Sequence, residues 1–317
     1  MPEAPLVSIV VATYNRWPLL RETIQSALAQ SFSDFEVVVV DDASTDGTAD
    51  HVRSEFPQVR LIRQEENSER GAAYNHGVRE ARGRYVSILG SDDVCEPWHL
   101  AQFDEVRRAA GDRAIFAGRA ALWDPASSRT SLLPAFDTST IARDSFLSAV
   151  VAPQAMLVKR SAFLEVGGYP EDRSTAASED WVLHMKLFNR FEVTPLPRPS
   201  VRIREHPGRS MANLSAIRRS REATTRLILE GDLLGFELDP AARKLIAAGT
   251  HRLCAAHHYG AGEMREARMR IADLCRTVGL PTGIRWAGRL WLQTWMGPAV
   301  SAVMRRAKQR LTWRTAD

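Results

Sequence analysis

Three pairs of neighbouring acids carry most of the chemistry this chain can offer: Asp41-Asp42, Asp92-Asp93 and Glu179-Asp180. The first two each follow an apolar run, Val37-Val38-Val39-Val40 and Tyr85-Val86-Ser87-Ile88-Leu89. Runs of β-branched and aromatic residues read as buried strands, and open α/β sheets bind ligands beyond the carboxyl ends of their strands. Asp92 and Asp93 are therefore expected at a ligand site. Two like charges so close repel unless a cation or strong donors intervene, which points to a divalent metal carrying phosphate oxygens. Asp also fills turns readily, so an acidic turn after a strand stays open for the pair taken alone. Glu179-Asp180 follows Ser178 and opens a helical pattern; by itself that is ordinary N-terminal capping.

The elements that must position these acids alternate. Val7 to Ala12 reads as a strand, Thr13-Tyr14-Asn15-Arg16 as a polar loop, and Leu20, Ile24, Ala27 and Leu28 recur at helical spacing after Pro18. Strands are expected over 35–40, 59–62 and from Tyr85, with helices over about 48–55 and 71–81 between them. Such alternation implies a parallel sheet with right-handed crossovers and helices on both faces. The Gly-rich turns of dehydrogenases and P-loop proteins do not occur. The first loop instead offers the Tyr14 ring to stack on a base, and Asp42 a carboxylate to accept from a base or ribose donor; a partly buried loop aromatic is the plainer reading of Tyr14.

Farther along, an amphipathic stretch near Trp98 to Ala110 precedes strand-like pieces at 114–123 and 154–159. Gly167-Gly168 permits positive φ after a short helix, and the polar loop Glu171 to Ser178 is expected to close over substrates. From about Ala212 the chain turns helical: a segment to Gly231, another from Pro240, and a hairpin through Gly262 to Cys275 of tetratricopeptide type. His257-His258 lack a carboxylate or Cys at ligand spacing and read as packing or solvent-facing residues.

The chain has 317 residues and three cysteines without metal spacing, which suggests reduced thiols and a cytoplasmic setting. No signal-peptide core or 18-residue uncharged apolar stretch occurs. Residues 281–317 hold seven Lys/Arg against one acid, a local +6, leaving about −2 for residues 1–280 out of the total of +4. The basic charge thus belongs to a tail, and no nucleic-acid partner is expected. Val300, Val303, Met304, Ala307 and Leu311 predict a basic amphipathic helix beginning near Pro298. It is preceded by Trp286, Trp291 and Trp295 and ended by Trp313. Residues 284–317 therefore suit an anionic membrane surface, with packing on the protein's own body as the alternative.

Four motifs in order, Val-Ser-Ile-Val-Val-Ala-Thr-Tyr-Asn-Arg, Val-Val-Asp-Asp-Ala-Ser-Thr-Asp-Gly-Thr, Ala-Ala-Tyr-Asn-His-Gly-Val-Arg-Glu-Ala-Arg-Gly-Arg-Tyr and Leu-Gly-Ser-Asp-Asp, resemble the family 2 glycosyltransferases of GT-A fold over roughly residues 5–205. The resemblance implies an α/β domain with a mostly parallel sheet flanked by helices, and an inverting, metal-assisted sugar transferase using a nucleotide sugar, UDP by default. It implies that Thr13, Tyr14, Asn15, Asp41, Asp42, Arg70 and Asp92 bind the nucleotide sugar. Asp93, Asp92 and His206 would hold Mn²⁺ or Mg²⁺. It also implies Asp180 as general base toward an acceptor hydroxyl and Glu179 as its orienting neighbour. Two departures stand out: Ala12 replaces a usual Pro or Thr, and Gly90 replaces the first acid of an Asp-x-Asp-Asp run.

The expected organisation is a catalytic domain over 1–210 and a helical region over 211–317, peripheral on the inner face of a membrane. The acceptor would be a glycan or lipid-linked sugar, its specificity carried by 127–148 and 171–178. The rival readings are a nucleotidyltransferase of similar topology, which would want a basic Gly-rich loop near the N-terminus, and a non-catalytic nucleotide- or glycan-binding relative.

Overall fold

The computed structural model describes residues 4–133, 155–209, 213–231 and 233–295. β1 (Val7–Thr13), β2 (Phe35–Asp41), β3 (Arg60–Arg63) and β4 (Tyr85–Gly90) pair in parallel in the order β4-β1-β2-β3. Every residue of β1 is buried, as a strand covered on both faces requires. The crossover helices α1 (Trp17–Leu28), α2 (Thr48–Glu55) and α3 (Arg70–Glu80) follow the expected alternation. Gly77 lets α3 lie close on the sheet, since a Cβ there would stand 2.5 Å from Val10 Cγ1 and 2.8 Å from Val40 Cγ2.

Beyond β4 the sheet continues through β9 (Ala155–Lys159), antiparallel to both neighbours, to β6 (Ile115–Gly118) and β10 (Val193–Pro195). The seven-strand order is β10-β6-β9-β4-β1-β2-β3, mostly parallel as the sequence predicts. Because β2 and β3 lie on one side of β1 and β4 on the other, the order reverses there, and such a reversal opens a ligand crevice beyond the strand ends. The expected strand at 114–123 is broken at Arg119: β6 stays in the large sheet while β7 (Ala120–Asp124) enters a second one. That sheet runs β5 (Val94–Cys95), β11 (Val201–Arg204), β7 and β8 (Arg129–Leu132). Helix α4 (His99–Ala110) packs Leu100 and Phe103 into the core with Phe116, Leu157 and Val201.

The described residues divide into two compact units. The first comprises those up to 133, 155–176 and 186–206; the second comprises 177–185 and those from 207 onward. Helix α5 (Arg160–Glu165) belongs to the first, and α6 (Glu179–Arg190) begins in the second. The second unit holds α7 (Leu214–Glu230), α8 (Pro240–Ala261), α9 (Met264–Val278) and α10 (Leu280–Gln293). Asp239 caps α8 by accepting from Ala242 N at 2.7 Å, and the expected α8–α9 hairpin turns at Gly262, φ 83°.

Gly279 ends α9 and a proline in the first turn starts α10, a separate helix that contains Trp286 and Trp291 ahead of Pro298. The helix predicted over Val300–Leu311 lies outside the described residues. No helix among the described residues is long and apolar enough to cross a membrane.

Candidate active site

At the carboxyl end of the sheet two loops are stitched together. Asn15 N donates to Ser44 Oγ at 2.9 Å, and Asn15 Oδ1 accepts from Thr45 N at 2.7 Å. Asn15 (φ 48°) and Ala43 (φ 62°) have positive φ, as do Glu69 (φ 72°) beside Arg70 and Ala177 (φ 77°) ahead of Ser178. These are four of the five non-glycine residues so strained among the described residues, and all lie at or within two positions of predicted site residues.

Asp42 is buried and held hard. Its Oδ1 accepts from Ser68 N at 2.8 Å, Ser68 Oγ at 3.0 Å and Gln64 Nε2 at 2.8 Å. Beside it, the Tyr14 ring is 47% exposed, open enough to stack on a planar ligand. Thr13 Oγ1 is buried without a partner among the described residues. Asp41 does not join them: it is wholly buried, accepts from Ser44 N at 3.2 Å and faces Arg63 Nε at 3.6 Å. It shapes its own turn, because the strand's alternation sends Asp41 inward where Asp42 begins the loop. Arg70 is the exposed first residue of α3.

The second acid pair forms a tight turn. Asp93 N donates to Gly90 O at 3.1 Å, and Asp93 Oδ1 accepts from Arg204 N at 3.2 Å. The buried Arg204 guanidinium donates from Nε to Asp92 O at 3.1 Å, pairs with Glu22 and lies over the Trp123 ring at 4.7 Å. Asp92 Oδ2 accepts from Arg16 Nη1 at 2.7 Å and lies 2.9 Å from His206 Nε2. At Gly90, the departure from the family pattern, a Cβ would be 2.5 Å from Asp93 Oδ2 and 3.2 Å from Asp92 Oδ1.

Two carboxylate oxygens thus converge over Gly90, and hard oxygens of like charge suit a divalent cation. The full expected ligand set is not assembled. Among the described residues no group of three or more His, Cys, Asp or Glu is placed to hold a metal. His206 instead shares Asp92 Oδ2 with Arg16, so imidazole and guanidinium brace the carboxylate from its far oxygen.

In the second unit, Glu179 and Asp180 occupy the first turn of α6, as predicted from sequence. Glu179 is buried, whereas Asp180 is half-exposed and makes no hydrogen bond or ion pair among the described residues. Ser178 is not the expected side-chain cap: its Oγ is buried and bonds nothing among the described residues, while its carbonyl accepts from Val182 N at 3.4 Å. Ala177, just before it, has φ 77°.

Sequence reasoning missed four supports. Arg16 and Arg204 hold the Asp92-Asp93 turn, and Gln64 with Ser68 hold Asp42; Arg16 stands in the first motif but without a role, and nothing local marks the other three. Asn75 was visible in its motif but without a role. It donates to Tyr169 O at 2.9 Å and Glu171 Oε1 at 2.8 Å and accepts from Tyr169 N at 2.9 Å. The polar loop expected to close over substrates is therefore anchored at Glu171, and its Thr175 is buried.

The chain is 44% identical over 110 residues, 34% of its length, to the succinoglycan biosynthesis protein ExoO of Rhizobium meliloti, covering 32% of that protein. It is 39% identical over 92 residues, 28% of its length, to the putative teichuronic acid biosynthesis glycosyltransferase TuaG of Bacillus subtilis, covering 36% of it. These matches span about a third of each relative. Among solved structures, S. aureus TarS 1–349 in complex with UDP-GlcNAc superposes with a TM-score of 0.59 at 18% identity, over 98% of this chain and 89% of that one. The mannosyltransferase PcManGT from Pyrobaculum calidifontis, in complex with GDP-Man and Mn²⁺, gives 0.56 at 20% identity over 96% and 85%. At such identities the likeness shows the fold, which is that of the GT-A glycosyltransferases. The sequence model of glycosyl transferase family 2 matches residues 8–167, which contain the β1, β2 and β4 ends and their acids, and the chain belongs to that family.

Proposed function

We propose that this chain is an inverting glycosyltransferase that moves a sugar from a nucleoside diphosphate, UDP by default, to a glycan or lipid-linked acceptor hydroxyl. The observation that carries the reading is the gathering of Tyr14, Asp42, Asp92 and Asp93 at the ends of β1, β2 and β4 in a family 2 chain. Tyr14 stacks on the base and Asp42 accepts from base or ribose. Arg16 and His206, both cationic or hydrogen-bonding groups on Asp92, face the region where diphosphate charge develops. A divalent cation held by Asp92 and Asp93 would neutralise the departing diphosphate. Asp180 accepts the proton of the acceptor hydroxyl as its oxygen bonds to C1 and the C1–O bond to the diphosphate breaks on the opposite face. Glu179 orients that exchange. The catalytic domain would span 1–210 and the helical region 211–317.

The nucleotidyltransferase reading lacks its basic Gly-rich loop. A peripheral membrane position is supported by α10. Its Leu280, Ile284, Trp291, Leu292 and the adjoining Trp295 are 43% to 63% exposed, with Arg285 and Arg289 on the same helix.

The deciding experiment is thermal unfolding with nucleoside diphosphates and their sugars, plus Mn²⁺, Mg²⁺ or chelator, since a ligand of the folded state alone raises the melting temperature. A metal-dependent rise with one nucleotide family, and loss of transfer in Asp180→Asn without loss of that rise, supports the proposal. No rise with any nucleotide moves the reading to a non-catalytic relative.

A further inference from the structure

The helical unit contains buried polar groups that nothing yet described explains. Arg221 on α7 is only 7% exposed, yet its Nε and Nη1 have no hydrogen-bond partner among the described residues. The same holds for Arg218 Nη1, Ser220 Oγ and Thr224 Oγ1 on α7 and for His257 Nδ1 on α8. The acids of this region are committed elsewhere: Glu263 pairs with Arg218 at 3.1 Å and with His258, and Glu222 pairs with Arg270. A buried charge without a counter-charge is among the costliest features a fold can hold, and orphaned buried donors in a native protein call for a bound water, ion or ligand.

The geometry is also prepared. The Arg221 guanidinium carbon lies 3.7 Å from the centroid of the Trp181 ring, which fixes the plane of the cation and leaves its N–H groups pointing out of the stack. Trp181 is held in turn by a core of Val182, Met185, Ile228 and Ile246. Burial lowers Arg221 to about 9 and His257 to about 4, the neighbouring Arg218 and Arg221 adding to the effect on His257. The surroundings thus disfavour a further positive charge and favour a negative one.

We propose that Arg221, with Arg218 and His257 beside it, binds an oxyanion, the phosphate or carboxylate of an acidic acceptor. The assignment to the acceptor rests on the reading of Asp180 as base, because Arg221 is stacked on the residue that follows Asp180 in the chain. Arg221 is a binding residue in this scheme and does not touch the reacting atoms.

The test uses the full chain in a chloride-matched buffer, titrated with inorganic phosphate, glycerol phosphate and glucuronate, and compares it with Arg221→Gln and Arg221→Met. The wild type should show a saturable rise in melting temperature, about 3 °C at tenfold excess over Kd, that both variants lose. Phosphate and glucuronate arms separate a phosphorylated from a uronic acceptor. Without added anion, Arg221→Met should be at least as stable as the wild type, since an uncompensated buried charge has been removed. Equal responses in all three chains, or a less stable Arg221→Met with no anion response in the wild type, would overturn the proposal and leave Arg221 as packing for Trp181. Nucleotide with Mn²⁺ is run alongside. A nucleotide response without a phosphate response sinks the oxyanion site alone, and the reverse sinks the transferase reading and with it the assignment to an acceptor, leaving the oxyanion site.

Discussion

His206 Nε2 lies 2.9 Å from Asp92 Oδ2, although 114 residues separate the two in the chain. β11 brings the imidazole there, and Arg204 at its end clasps the Asp92-Asp93 turn from the other side. One short strand therefore supports both acids. Groups that orient a ligating carboxylate typically contribute tenfold to a hundredfold in metal affinity. His206→Ala should weaken Mn²⁺-dependent binding of UDP by about that factor, and His206→Gln, which keeps a donor, should recover part of it. Titration calorimetry with and without Mn²⁺ checks this, and equal affinity in all three proteins would remove His206 from the site.

Gly90 supplies the second prediction. Any side chain there meets Asp93 Oδ2 at 2.5 Å, so Gly90→Ala forces the carboxylate aside while β4, paired on both edges, keeps its register. Melting should change little. Metal-dependent nucleotide binding should fall about tenfold or more, because a displaced ligand no longer shares the space over residue 90. An alanine variant that binds as well as the wild type would show that the cation does not use Asp93 Oδ2.

The strand ends and their acids could be read in the sequence because parallel strands buried on both faces leave continuous apolar runs, as in Val37 to Val40. What positions those acids could not. Arg204 reaches Asp92 and Asp93 only after the chain has returned along β11, and no local pattern encodes a contact across 112 residues. Asp41 shows the same limit: beside Asp42 in sequence, it accepts from Ser44 N and faces Arg63, contacts that its own acid pair does not reveal. Arg221 gave no signal, since an Arg in a helix rich in Arg and Glu looks solvated until its burial is seen.

The outer face of α10 supports a third prediction. Ile284 and Trp291 on α10 and the adjoining Trp295 are exposed apolar side chains just ahead of residues 296–317, where five Lys/Arg stand against one acid. Apolar side chains at a bilayer interface and cations over anionic headgroups act together. Replacing these three residues by Ser should leave unfolding nearly unchanged and reduce sedimentation with phosphatidylglycerol vesicles several-fold. Neutral phosphatidylcholine vesicles should bind the wild type weakly. Undiminished sedimentation of the triple variant would show that this face does not meet the membrane.

The last prediction concerns acid. His99, at the start of α4, is fully buried between Ser87 Oγ at 3.0 Å and Ser200 Oγ at 2.8 Å, and burial lowers it from 6.5 to about 4. The folded chain keeps this imidazole neutral, whereas the unfolded chain protonates it below its ordinary value. Between 6.5 and 4 the unfolded state therefore binds more protons, and stability must fall as pH falls through that window. Above the window His99 contributes no pH dependence, and below it no further loss. The full effect is about 3 kcal/mol. His184 and His257, lowered by burial to about 3 and about 4, act in the same direction, so the wild type loses stability steeply in mild acid. His99→Gln can still bridge the two serines but cannot titrate. Urea midpoints measured from pH 7.5 to 4.5 should decline less in that variant than in the wild type, and parallel declines would show that His99 is protonated in the fold.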